Sequence, residues 1–124
     1  MFTKLKLALS VGVISLFMSG QADAHAHLAS ATPAIDGTVA ASPAELDLKF
    51  SEALNLKFSG VKVAGPDKAA IATGAASLAK GDESKLVVPV SAALAAGIYT
   101  VDWHVLSKDG QKTHGTYKFT VKPL

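Results

Sequence analysis

The chain holds four histidines, at positions 25, 27, 104 and 114, and two of them stand one residue apart near its start. If the chain is cut after Ala24, His25 becomes the first residue. Its free α-amine and its own Nδ1 can then close one chelate ring on a metal. Both are borderline nitrogen donors, which favour Cu(II) over other first-row ions. His27, at the third position, adds an imidazole to the same ion, or binds in the amino-terminal mode in which backbone amides also ligate. The plain alternative is that His25 and His27 are only exposed polar residues on a frayed terminus. The second chemical concentration is Ser107-Lys108-Asp109-Gly110-Gln111-Lys112-Thr113-His114-Gly115. Asp109 and His114 put an oxygen and a nitrogen donor close together in sequence. Asp109-Gly110 is also a turn signal, so the aspartate has a structural reading, bonding nearby backbone N–H groups.

Whether His25 becomes a terminus depends on the first 24 residues. Lys4 and Lys6 form a basic start, Leu7 to Met18 is apolar and uncharged, and Ala22-Asp23-Ala24 gives the small-residue exit of a secretory signal peptide. The apolar run is too short to span a bilayer comfortably. Ala24-His25-Ala26 has the same small-x-small form, and a cut after Ala26 would instead leave His27 first. Cleavage after Ala24 removes 24 of the 124 residues, including both methionines, and leaves 100 residues with all four histidines. The domain expectation is therefore a signal peptide over 1–24 and one β-domain over 25–124.

Composition removes several chemistries. Cysteine is absent, which excludes disulfides, thiolate metal sites and a cysteine nucleophile. Twelve basic residues, all lysine, nearly balance ten acidic ones, with no basic stripe to hold nucleic acid. No phosphate-cradling glycine motif and no G-x-S-x-G elbow is present. With neither thiols nor methionine in the exported chain, soft Cu(I) ligation has no donors there.

The elements that must position these groups are short strands. Glu45-Leu46-Asp47-Leu48-Lys49-Phe50 alternates polar and apolar without error, as does Val61-Lys62-Val63. Leu86-Val87-Val88-Pro89-Val90 is continuously apolar, its proline marking a strand end or an edge. Tyr99, Val101, Trp103 and Val105 share one face; Thr100, Asp102, His104 and Leu106 share the other. Tyr117, Phe119 and Val121 alternate with lysine and threonine. Turn residues recur about every ten positions, Gly60, Gly97, Asp109-Gly110 and Gly115 among them. The pattern predicts an all-β Greek-key sandwich or barrel of about seven strands, Ig-like or cupredoxin-like, with Trp103 as the central aromatic. The alanine-rich stretches Ala69–Ala79 and Ser91–Ala96 read as short connectors. Ser107–Gly115 falls between the two strongest strands and reads as a hairpin loop. His104, facing away from the core beside Thr100 and Asp102, reads as a sheet-face histidine and stays outside the site.

His25-Ala26-His27-Leu28, Pro33, Phe50-Ser51-Glu52, Phe58-Ser59-Gly60, Ala96-Gly97-Ile98-Tyr99, Val101-Asp102-Trp103 and Val105-Leu106-Ser107-Lys108-Asp109-Gly110 together resemble CopC, the periplasmic copper-resistance protein C family, most closely its YobA-type members. The likeness runs over essentially the whole chain after the signal. It implies a small Greek-key β-domain that binds one Cu(II) per chain in the periplasm without catalysis, as a monomer that hands copper to a CopD-type inner-membrane transporter. It also implies ligand roles for His25 and Asp109. The family usually has a histidine two residues after that aspartate, where this chain has Gln111, a poor Cu(II) ligand. Either His27 or His114 then supplies the missing imidazole. Some members hold Cu(I) in a methionine-rich loop, for which this chain has no counterpart.

Two other classes compete. An N-terminal histidine brace also serves oxidative copper enzymes, but those are much larger and need an aromatic-bearing substrate surface; here the one Trp and two Tyr fall on core-facing positions. A metal-free sandwich interaction module is the remaining alternative, favoured if His27 proves to be the mature N-terminus.

Overall fold

The computed structural model describes residues 26–123. The expected signal peptide, its cleavage point and His25 lie outside the described residues. Nine strands follow in order: β1 (Leu28–Thr32), β2 (Thr38–Val39), β3 (Glu45–Phe50), β4 (Gly60–Ala64), β5 (Ala70–Ile71), β6 (Ser77–Ala79), β7 (Asp82–Pro89), β8 (Gly97–Leu106) and β9 (Lys112–Val121). They form two sheets, β1-β3-β7-β6 and β2-β9-β8-β4-β5, so the domain is a sandwich and not a closed barrel. Neighbours are antiparallel except β2 and β9, which run parallel. Among the described residues no helix is long and apolar enough to cross a membrane.

Alternation decides which faces meet. Leu46, Leu48 and Phe50 of β3 and Leu86 and Val88 of β7 are buried against Tyr99, Val101, Trp103 and Val105 of β8 and Tyr117, Phe119 and Val121 of β9. Phe50 and Trp103 meet edge to face with centroids 5.1 Å apart, and Tyr99 stacks on Phe119 at 5.4 Å. Such pairs add to the burial of their large apolar surfaces. All of these positions follow from a two-residue period.

The departures have local causes. The strand count exceeds seven because Ala69–Ala79, expected as a connector, supplies the short strands β5 and β6. These cap the two sheet edges opposite the N-terminal edge, and side chains as small as alanine give no periodic signal there. Ser91–Ala96 is a connector as expected. Pro89 ends β7, which lies inside its sheet, so the strand-end reading is the right one. Gly115 is not a turn residue. It sits within β9 opposite Trp103, where a Cβ would lie 2.6 Å from the indole Cζ2. Glycine is used there for close approach, not for flexibility.

The two core tyrosines differ at their hydroxyls. The Tyr99 hydroxyl donates to the Ala95 carbonyl at 2.7 Å, whereas the buried Tyr117 hydroxyl has no partner among the described residues. Burial first, and the negative charge of Asp47 second, hold the Tyr117 phenol far above the usual tyrosine range. The fold therefore keeps a proton that the unfolded chain releases near pH 10, and stability falls as pH rises past that value. Tyr117→Phe should leave stability at pH 7 unchanged or slightly higher, since it removes a buried hydroxyl without a partner. It should also shrink the loss between pH 9 and pH 11 in urea unfolding. An equal alkaline loss in the variant would assign that loss to other groups.

Candidate metal centre

The chain start and the β8–β9 hairpin are brought to one end of the sandwich by hydrogen bonds to two neighbouring segments. The His27 amide donates to Ser51 Oγ at 2.8 Å, and the Ser51 amide donates back to the His27 carbonyl at 2.9 Å. Both bonds use backbone atoms of His27 and leave its imidazole free of them. The Thr113 hydroxyl donates to the Ala26 carbonyl at 2.9 Å, tying the segment to β9. Ala26 is fully buried, which fixes the strand's point of departure. The hairpin is anchored to the same stretch after β3: Ser107 bridges to Leu54, and the Lys108 amide donates to the Ala53 carbonyl at 3.0 Å.

Within the hairpin, Ser107 organises the turn. Its amide donates to the Gln111 carbonyl at 2.9 Å, and its hydroxyl accepts from the Gln111 amide at 3.1 Å and donates to an Asp109 carboxylate oxygen. Asp109 thus has its structural role and is exposed, and its other carboxylate oxygen has no hydrogen-bond partner among the described residues. Gln111 is pinned at the neck by its backbone, so its side chain is free to differ without disturbing the turn. The Lys108 ammonium pairs with Glu83 at 2.7 Å, steadying the hairpin from the side.

The candidate ligands are distributed unequally. His27 is exposed and lines a cleft of about 420 Å³ with Ala26, Trp103, His114 and Tyr117. His114 also lines a second cleft of about 460 Å³ on the outer face of the five-stranded sheet, with Lys57, Phe58, His104 and Lys112. On β9 it is Thr113 that hydrogen-bonds Ala26; His114 stands on the outward-facing alternation of exposed residues, at the rim of both clefts. Directly across from it on β8 is His104. Among the described residues no three His, Cys, Asp or Glu side chains gather into a metal-binding group. His25 lies outside those residues. His104 is the histidine that sequence reasoning set aside. The signal that pairs it with His114 is register, visible in the sequence only once the hairpin's turn residues are fixed.

The family model described as the CopC domain matches residues 28–122. Protein YobA of Escherichia coli (strain K12) is 43% identical over 118 residues, covering 95% of this chain and 94% of that protein. Copper resistance protein C of Pseudomonas syringae pv. tomato is 38% identical over 112 residues, covering 86% and 88%. The crystal structure of CopC from Methylosinus trichosporium OB3b superposes with a TM-score of 0.74 at 31% identity, covering 80% of this chain and 95% of that one. A family match across nearly all described residues and relatives of 38% and 43% identity over most of their length agree: the chain belongs to the CopC family.

Proposed function

We propose that this protein is an exported, non-catalytic copper protein that binds one Cu(II) tightly at its processed N-terminus and carries or buffers it in the periplasm in support of copper resistance. The observation that carries the reading is the fastening of Ala26 and His27 to Thr113 and Ser51, beside a hairpin that presents Asp109. That fastening keeps the residue following His25 in one place, so a terminal amine and imidazole would be delivered to a fixed location, not a frayed tail. The ligand set is the amine and imidazole of His25, the imidazole of His27 in place of the one absent at Gln111, and the free oxygen of Asp109. His27 is preferred over His114 because His114 faces outward on β9. A membrane partner of CopD type is the receiver that the family likeness implies.

Enzymatic use is disfavoured because Trp103, Tyr99 and Tyr117 are all buried, which withdraws them from any substrate platform. Bound copper stabilises the folded state by about 2.7 kcal/mol when free metal is 100-fold above the dissociation constant.

The test is intact mass and titration of the exported protein. The mass fixes His25 as first residue. Titration should give one tight Cu(II) per chain and no Cu(I) retained against a competing chelator, since no sulfur donor remains after Met1 and Met18 are removed. A mass that begins at His27, or firm Cu(I) retention, would overturn the reading.

A further inference from the structure

On the outer face of the five-stranded sheet, β8 and β9 run as an antiparallel pair with unbroken register from Gly97↔Val121 to Leu106↔Lys112. The Ser107 amide bonds the Gln111 carbonyl, so Ser107/Gln111 is a hydrogen-bonded pair. Counting back along the alternation, Leu106/Lys112, His104/His114 and Asp102/Thr116 are non-hydrogen-bonded pairs. In such pairs the Cα atoms are about 4.5 Å apart and the side chains lie closest. The same face supplies the check: Thr116 Oγ1 donates to Asp102 Oδ1 at 2.6 Å, so side chains of this class do meet here. His104 and His114 occupy the next such rung, both exposed.

We propose that His104 and His114 form a second, weaker metal site, separate from the N-terminal one, that takes a late first-row divalent ion, Cu(II) most tightly. Two neutral imidazoles across a non-hydrogen-bonded rung offer two nitrogen donors from rigid strands, a donor type that suits Cu, Zn and Ni. The His104 ring has room to orient. It rests over Gly60, where an added Cβ would sit 3.3 Å from its Cε1, and β4 presents no side chain at that point. In this structure the ring lies on the Gly60 side, so a shared ion requires it to turn from there toward His114. Asp102 is engaged with Thr116, so the remaining coordination falls to water. Lys57 and Lys112 line the same cleft, and their positive charge holds this site's affinity below that of the N-terminal amine site.

The experiment uses a His25→Ala/His27→Ala variant of the exported protein. The bonds of residue 27 to Ser51 are made by its backbone, so the variant keeps them. Titrated calorimetrically with Cu(II) alone at pH 7.5, it should bind one ion per chain. Electron resonance of the loaded variant should show coupling to two imidazole nitrogens. Adding His104→Ala or His114→Ala should each lower affinity at least about tenfold, equivalent to about 1.4 kcal/mol, and each should remove a nitrogen coupling. Both residues are exposed, and unchanged Trp103 fluorescence and melting temperature will verify the fold. No Cu(II) binding by the double variant, or triple variants that bind as well as their parent, would overturn the site. Failure of the N-terminal reading is separately visible: the unaltered protein would then bind Cu(II) no more tightly than the double variant.

Discussion

Placing a single extra residue ahead of His25 should lower the tight Cu(II) affinity at least about tenfold, or 1.4 kcal/mol, while leaving the fold intact. The extension moves the α-amine off the chelate ring and leaves every side chain in place. Stability should not change without metal, because the extension leaves in place the bonds by which Ala26 and His27 dock the segment. His27→Ala should also weaken binding and remove one nitrogen coupling, and it keeps both backbone bonds to Ser51. The effect should depend on pH in a defined direction. Copper displaces protons from the amine, with an ordinary pKa of about 8, and from imidazoles, about 6.5. The affinity gap between the native and extended forms should therefore be widest near pH 8 and close as pH falls toward 5. Equal affinity in the two forms at pH 8 would show that the amine is not a ligand.

Much of what positions this site can be read from the sequence, for a physical reason. β3, β8 and β9 are half-buried strands whose alternation is strict, so the burial of Leu46, Tyr99, Trp103, Tyr117 and their same-face neighbours follows from period alone. Ala69–Ala79 resists such reading because alanine is neither a strong strand former nor a committed core residue, and β5 and β6 exist only by pairing with β4 and β7. Gly115 misleads for the opposite reason. A glycine between strand-like residues signals a turn or a close approach with equal force, and the indole that selects close approach lies across the hairpin on β8.

The candidate ligands divide along the same line. His27 and Asp109 are placed by local features, a bulged first strand and a serine-closed turn. His114 and His104 are placed by register, which a one-residue slip of the hairpin would reverse. Gln111 is the informative position between these cases. Its backbone is fixed by Ser107 whatever its side chain is, so Gln111→His should preserve the turn and tighten Cu(II) if the hairpin faces the processed terminus.

Trp103 should prove the most costly single side chain to truncate, because it serves the core and the floor of the His27 cleft together. Trp103→Ala removes the edge-to-face contact with Phe50 and opens a cavity between the sheets, a loss of about 3–5 kcal/mol. Gly115→Ala attacks the same contact from the other strand. The added Cβ would fall 2.6 Å from Cζ2 and 2.8 Å from Cε2 of an indole that is 9% exposed and has little freedom to withdraw. Overpacking of this kind costs about 1–3 kcal/mol. The two effects share one cause and should not add. In a Trp103→Phe background the six-membered portion of the indole that crowds position 115 is gone, so Gly115→Ala should cost markedly less than it does opposite tryptophan. Denaturant unfolding of the four proteins of this cycle measures the coupling directly, with contacting residues expected to interact by about 0.5–3 kcal/mol. An additive cycle would mean that Gly115 is required by the β9 backbone and not by the indole. The same four proteins also link packing to metal: displacing the indole reshapes the cleft that His27 and Trp103 both line, so Gly115→Ala should weaken Cu(II) binding in the tryptophan background more than in the phenylalanine one.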